Sequence, residues 1–256
     1  MIDISRLYCN TKGQHDALRY GSGHGEKKET PHKRPVVVWN CTRRCNLRCR
    51  HCYAGATENA EDGHLSTDEA IEMLEDLAEF GSPVVLFSGG EPLMRKDIFK
   101  LVACASDLGL RTVLSTNGTL IDDEAAEKLA EAGAGYIGVS LDGMEETHDA
   151  FRGVEGAFQQ ALEGMDNSRK AGLKVGARFT ITSANADDVP GIFDLVEERD
   201  IDRACFYHLV YAGRGLMEED LSLERTRDVV DLIMDRAEEL HEKRGEEDLE
   251  VLSYLN

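Results

Sequence analysis

The sequence predicts an α/β fold, an open barrel of six β/α units rather than a closed eight-stranded one. Three observations predict it. Short apolar runs alternate with longer amphipathic stretches from residue 36 to residue 243. Turn residues follow four of the runs, at Gly89-Gly90, Asn117-Gly118, Asp142-Gly143 and Gly213. Six such units fit within 256 residues, a length that buries a sizeable core without disulfides.

The first strand is Val36–Asn40, which leads into a cysteine-rich loop. Ser66 opens the first helix, with Glu69 three residues later completing a capping box, and Ile71, Leu74, Leu77 and Ala78 share one face. Val84–Ser88 lies between Ser82-Pro83 and Gly89-Gly90 and reads as a buried strand. Further strands are expected at Thr112–Ser115, Tyr136–Leu141, Val175–Thr182 and Ala204–Leu209, and helices near 97–108, 122–132, 155–171, 187–199 and 222–243. Such alternation argues for a parallel sheet with right-handed crossovers, whose chemistry gathers at the carboxyl ends of the strands. In the fifth strand, alternation sets Arg178 with Gly176 and Thr180 against Val175, Ala177, Phe179 and Ile181. Arg178 then faces the lumen, to bind a carboxylate or to form a buried ion pair.

Charge narrows the function classes. Forty-nine acids against 29 bases give a net charge of −20, which repels nucleic acid. With 19 Arg against 10 Lys, the balance suggests a protein kept soluble in strong salt, the alternative being an ordinary acidic enzyme. The charge is uneven: residues 1–60 carry 11 bases and 5 acids, residues 61–256 carry 18 and 44. The basic quarter suits an anionic guest or is a solvated loop. The N-terminal stretch lacks the apolar run of a signal peptide and no window approaches about 18 apolar residues, so a cytoplasmic protein without a membrane span is expected.

Four of the seven cysteines lie within twelve residues, in WNCTRRCNLRCRHCY. An odd count argues against a disulfide framework. Structural zinc usually draws on two separated ligand pairs, and no second pair follows. Thiolates close together on one loop match an iron–sulfur cluster better. Cys45-x3-Cys49-x2-Cys52 has that spacing, with Cys41 read as a strand-end residue.

This loop, placed directly after a first strand, resembles that of the radical SAM superfamily. The resemblance implies a partial (β/α)6 TIM-like barrel and a 4Fe–4S cluster held by Cys45, Cys49 and Cys52. It also implies S-adenosylmethionine on the open iron, cleaved reductively to a 5′-deoxyadenosyl radical that takes hydrogen from substrate. His51 stands where relatives carry an aromatic residue and is expected near the adenine or as a plain loop residue. Gly89, Gly90, Glu91 and Pro92 match the segment that binds the methionine amino group. Asn117 is expected to line the site. The Ser140 and Asp142 pair matches contacts to the ribose hydroxyls and methionyl carboxylate, unless Asp142-Gly143 is only a turn. The Gly213-Arg214-Gly215 turn resembles the branch with a cysteine-rich C-terminal SPASM or twitch extension, and there Arg214 reaches the cofactor or an anionic substrate.

Ile4–Cys9, Ala17–Gly21, VVVWNCTRRCNLRCRHCYAGA and FYHLVYAGRG resemble the alternative haem pathway branch, which includes didecarboxysiroheme deacetylase and the haem d1 maturase. The resemblance implies a tetrapyrrole substrate that loses acetate side chains. It also implies an electron donor such as ferredoxin or flavodoxin. His15, His24, His32, Tyr207, His208 and Tyr211 are the candidates for meeting such a ring. A peptide-modifying maturase or a non-catalytic iron–sulfur protein are the alternatives. The expected division is an arm at 1–34, a barrel at 35–245, and at 246–256 the start of an extension that stops short of further cysteines.

Overall fold

The computed structural model describes residues 2–9, 34–60, 63–244 and 250–254. A two-residue strand, β1 (Ile2–Asp3), and a helical turn, α1 (Ile4–Leu7), precede the barrel. The barrel alternates β2 (Val37–Thr42), α2 (Thr67–Phe80), β3 (Val84–Gly89), α3 (Ile98–Asp107), β4 (Arg111–Thr116), α4 (Asp123–Glu131) and β5 (Tyr136–Ser140). It continues through α5 (Glu145–Arg152), α6 (Ala157–Lys170), β6 (Val175–Ile181), α7 (Val189–Glu198), β7 (Arg203–His208), α8 (Leu223–Arg244) and β8 (Glu250–Tyr254).

Strands β2 to β8 are parallel and lie side by side in chain order. The expected six β/α units are all present, followed by a seventh parallel strand. That strand joins the same sheet beside β7. Strand β1 adds to β8 antiparallel, so β1 and β2 form the two edges and the barrel stays open.

Local chemistry explains several boundaries. The Ser66 side chain accepts from the Glu69 N–H and Glu69 reaches back to the Ser66 N–H, a complete capping box at the start of α2. Gly81 ends α2 in the left-handed region at φ 83°. Asp122 caps α4 through the Ala125 N–H. Helix α5 has no counterpart in the sequence reading. Its buried residues are His148, Phe151 and Arg152, so two of the three inward positions are polar and no apolar stripe marks it.

The core lies between sheet and helices. Val85, Phe87, Leu114, Ile137, Val139, Val175, Ala177, Phe179, Ala204, Phe206 and Val251 point into it from the strands. The alternate residues face the lumen, among them Ser88, Ser115, Ser140, Arg178 and Thr180. No described helix is long and apolar enough to cross a membrane.

Candidate metal centre and cofactor site

The cysteine loop leaves the end of β2 and folds over the mouth of the barrel. Its main chain is tied down on three sides. Cys45 N–H bonds to Thr57 O at 3.0 Å, and Thr57 N–H returns to Arg43 O at 3.2 Å. Arg48 N–H and Arg50 N–H bond to Arg152 O and Phe151 O at the end of α5, each at 2.9 Å. Gly90 N–H and Glu91 N–H, just past β3, bond to Thr42 O and Arg44 O, each at 2.8 Å.

The glycines at 89 and 90 owe their identity to this contact. A Cβ at Gly89 would run into the Thr42 main chain, and one at Gly90 into the Arg44 carbonyl. The double glycine therefore lets the loop backbone lie against the end of β3. Gly213 makes the same allowance from the other side. Its φ is 62°, and a Cβ there would strike the Cys52 and Tyr53 carbonyls.

Cys45, Leu47, Cys49 and Ala56 form a small apolar cluster with Ala157 of α6, and Cys52 and Val154 pack beside it. Burial pushes the Cys45 thiol up to about 11. A cation bound there would displace that proton. Three N–H donors already face the sulfurs: Leu47 N–H to Cys45 Sγ at 3.5 Å, Asn117 Nδ2 to Cys45 Sγ at 3.9 Å, and Arg152 Nη1 to Cys49 Sγ at 3.4 Å. Three thiols on one loop, two of them facing N–H donors, are a donor set of the iron–sulfur type, although among the described residues no three such side chains are drawn together as a metal site. Cys41 sits elsewhere. It lies inside β2, fully buried in the main core, and burial pushes its thiol up to about 12.

Glu91 and Asn117 link the loop to the third strand of the barrel wall. Glu91 is fully buried. It accepts from Leu93 N–H at 3.1 Å, Thr116 Oγ1 at 2.8 Å and Asn117 N–H at 2.8 Å. Burial pushes its carboxyl above the usual range against these three bonds. Asn117 Nδ2 also donates to Asn46 Oδ1 at 2.9 Å. Pro92 is buried and starts the short 3-10 turn Pro92–Met94, where its fixed φ suits the first position.

Two of the expected cofactor residues, Asp142 and Arg214, contact the loop and its supports. Asp142, beyond the end of β5, is only 1% exposed. Its Oδ2 lies 2.5 Å from Arg152 Nη2 and 3.3 Å from His51 Nε2, and its Oδ1 accepts from Thr180 N–H at 3.1 Å. Burial works against its charge, yet Arg152, His51 and His148 hold its carboxyl well below the usual carboxylate range. Asp142 lies two residues past Ser140, the last residue of β5. Arg214 likewise binds carbonyls of the loop, Cys49 O at 2.9 Å and Ala56 O at 3.1 Å.

His51 is held by Asp142 and packs on Phe151 at 5.3 Å between ring centroids. Ser140 and Arg178 are register partners on the lumen wall. Arg178 lies across Gly138 and donates to Ser115 Oγ at 2.7 Å. Tyr207 shares the lumen side of β7, whereas His208 alternates to the other. His15, His24 and His32 lie outside the described residues.

Sequence reasoning missed Arg152 and His148. Nothing local in HDAFRG sets them apart, because their partners lie in other segments of the chain.

The model of the radical SAM superfamily matches residues 39–196. The chain belongs to that superfamily. The cofactors of this radical SAM chain are accordingly a 4Fe–4S cluster and S-adenosylmethionine. Among curated relatives, Fe-coproporphyrin III synthase of Methanosarcina barkeri is 58% identical over 252 residues, covering 95% of this chain and 63% of its own length. Pre-heme d1 synthase of Dinoroseobacter shibae is 46% identical over 214 residues, covering 83% of this chain and 53% of its own. The chain thus spans between half and two thirds of these radical SAM relatives. A solved structure of Streptococcus suis SuiB bound to S-adenosylmethionine superposes with a TM-score of 0.70 over 84% of this chain and 49% of that one, at 19% identity, and shows the fold they share.

Proposed function

We propose that this chain carries the radical-generating barrel of an enzyme of haem biosynthesis that removes acetate side chains from didecarboxysiroheme. The observation that carries the reading is the 58% identity with Fe-coproporphyrin III synthase across 95% of the chain. When bound, the cluster and S-adenosylmethionine supply a 5′-deoxyadenosyl radical that takes hydrogen from the substrate.

The chain's own residues do the holding and orienting. Cys45, Cys49 and Cys52 bind three irons. Arg152 and Asn117 donate to the ligand sulfurs and fix their rotamers. Gly89, Gly90, Glu91 and Pro92 set the loop at the height of the β3 end, and with Asn117 and Ser140 they form the bed for the cofactor. Arg178 offers a cation inside the lumen to a carboxylate of cofactor or substrate. Asp142 and Arg214 act through the loop. A low-potential carrier such as flavodoxin or ferredoxin delivers the electron.

The test is anaerobic. The reconstituted chain should release 5′-deoxyadenosine from S-adenosylmethionine with dithionite, shift the Soret band of added didecarboxysiroheme, and yield a product lighter by two acetate groups. An intact cluster without 5′-deoxyadenosine would overturn the enzyme reading. Release of 5′-deoxyadenosine without any Soret shift would overturn the substrate.

A further inference from the structure

The cysteine loop has two faces of opposite character. Cys45, Leu47 and Cys49 are buried, while Arg43, Arg48 and Arg50 are exposed. Residues 41–57 contain four arginines and no acid, in a chain whose residues 61–256 carry 44 acids to 18 bases. Among the described residues, Glu58 and Glu219 border the patch. Arg50 meets Glu219 at 3.4 Å and keeps its side chain 60% exposed. Arg48 lines a hollow of about 460 Å³ with Thr57, Glu58, Asn59 and Arg214.

We propose that this outer face of the loop, built on Arg43, Arg48 and Arg50, is the docking surface for an acidic one-electron carrier protein of the flavodoxin or ferredoxin kind. The inference rests on the reading that Cys45, Cys49 and Cys52 hold the cluster.

Three features carry it. The first is sign. An acidic carrier is repelled by the acid-rich residues 61–256 and attracted here, so the charge pattern sets both encounter and orientation. The second is depth. Cys49 is 8% exposed and directly precedes the exposed Arg50, so a carrier on the arginines is one layer of chain from a ligand sulfur. The third is rigidity. The main-chain bonds from Arg48 and Arg50 to Arg152 O and Phe151 O hold the patch in one shape. An anionic substrate fits this face poorly, because it must meet the cofactor on the lumen side, where Ser140, Arg178 and Thr180 stand. The step moves one electron: the carrier is oxidised by one and the cluster reduced by one, with no proton or group transferred.

The experiment compares the reconstituted parent with the double variant Arg48→Glu, Arg50→Glu. S-adenosylmethionine cleavage is driven either by dithionite or by reduced flavodoxin. Expected are unchanged iron content, a dithionite-driven rate within twofold of the parent, and a flavodoxin-driven rate at least tenfold lower. The parent's flavodoxin-driven rate should also fall with added salt, and the variant's should not. An equal flavodoxin-driven rate in parent and variant overturns the proposal, as does an equal fall with both reductants at full iron content. Titration of flavodoxin by its flavin fluorescence reads docking without turnover. Unweakened binding, in a variant with or without iron, also overturns it. Failure of the cluster reading shows separately, as a parent that releases no 5′-deoxyadenosine with dithionite.

Discussion

Arg152 and Asp142 form an ion pair, Nη2 to Oδ2 at 2.5 Å, with side chains 9% and 1% exposed. The pair joins the end of α5 to the segment after β5. Through the second nitrogen of Arg152 it reaches Cys49 Sγ. Burial disfavours the guanidinium charge, yet Asp142 holds Arg152 above its ordinary value. The carboxylate thus keeps a charged donor aimed at the Cys49 sulfur.

Asp142→Asn should therefore cost about 3–5 kcal/mol, the usual penalty of leaving one member of a buried pair unpaired. Iron per chain should fall as well. Replacing both partners, Asp142→Asn with Arg152→Met, should recover much of the stability, because no buried charge remains uncompensated. It should not recover the iron, because Cys49 has lost its donor. Denaturant titration and iron analysis read the two effects separately. A single variant as stable as the parent would mean that Arg152 does not depend on Asp142.

The glycine contact gives a steric prediction. Gly90→Ala places a methyl group against the Arg44 carbonyl, so the loop must lift from β3. The expected cost is about 1–3 kcal/mol, with lower iron content. Gly63→Ala is the control, since nothing lies within 4 Å of a Cβ there. It should stay within about 0.5 kcal/mol of the parent.

The cysteines separate by partner. Cys45→Ala, Cys49→Ala and Cys52→Ala should each abolish the cluster. Cys41→Ala should keep it and lose about 1 kcal/mol of core packing. Iron retained by the Cys49 variant refutes the ligand assignment.

What the sequence revealed follows from how local each signal is. The strands β3 to β7 and helices α2, α3, α4, α6, α7 and α8 lie within about two residues of their expected positions, because period and turn chemistry are local. The loop cysteines stood out by their spacing, and the structure packs Cys45, Cys49 and Cys52 in one small cluster. Arg178 was legible as a lumen residue because alternation holds within a strand. Alternation does not fix the direction of Asp142, which lies past the last residue of β5, Ser140. Helix α5 was hidden because its inward residues are polar. His148 meets the Asp142 N–H six positions away, and Arg152 Nη1 meets Cys49 Sγ 103 positions away. No window shows the latter pair.

His148 gives the pH prediction. It is fully buried, and its Nδ1 accepts from Asp142 N–H at 3.1 Å. Burial, aided by the Arg152 guanidinium, pushes its pKa from 6.5 down to about 4. Protonation would also set a second donor against the Asp142 N–H. The unfolded chain takes up the proton near pH 6.5 and the folded one only near pH 4, so stability falls as pH drops through that window and levels off below it. Between pH 7 and pH 5 the loss from this group is about 2 kcal/mol. His148→Gln keeps a side-chain acceptor but cannot take up a proton, so its stability should fall less over the same interval. Denaturant titrations at pH 7 and pH 5, on cluster-free and reconstituted protein, separate this effect from acid loss of the cluster. Equal pH slopes for the cluster-free parent and variant would show that His148 is not the group responsible.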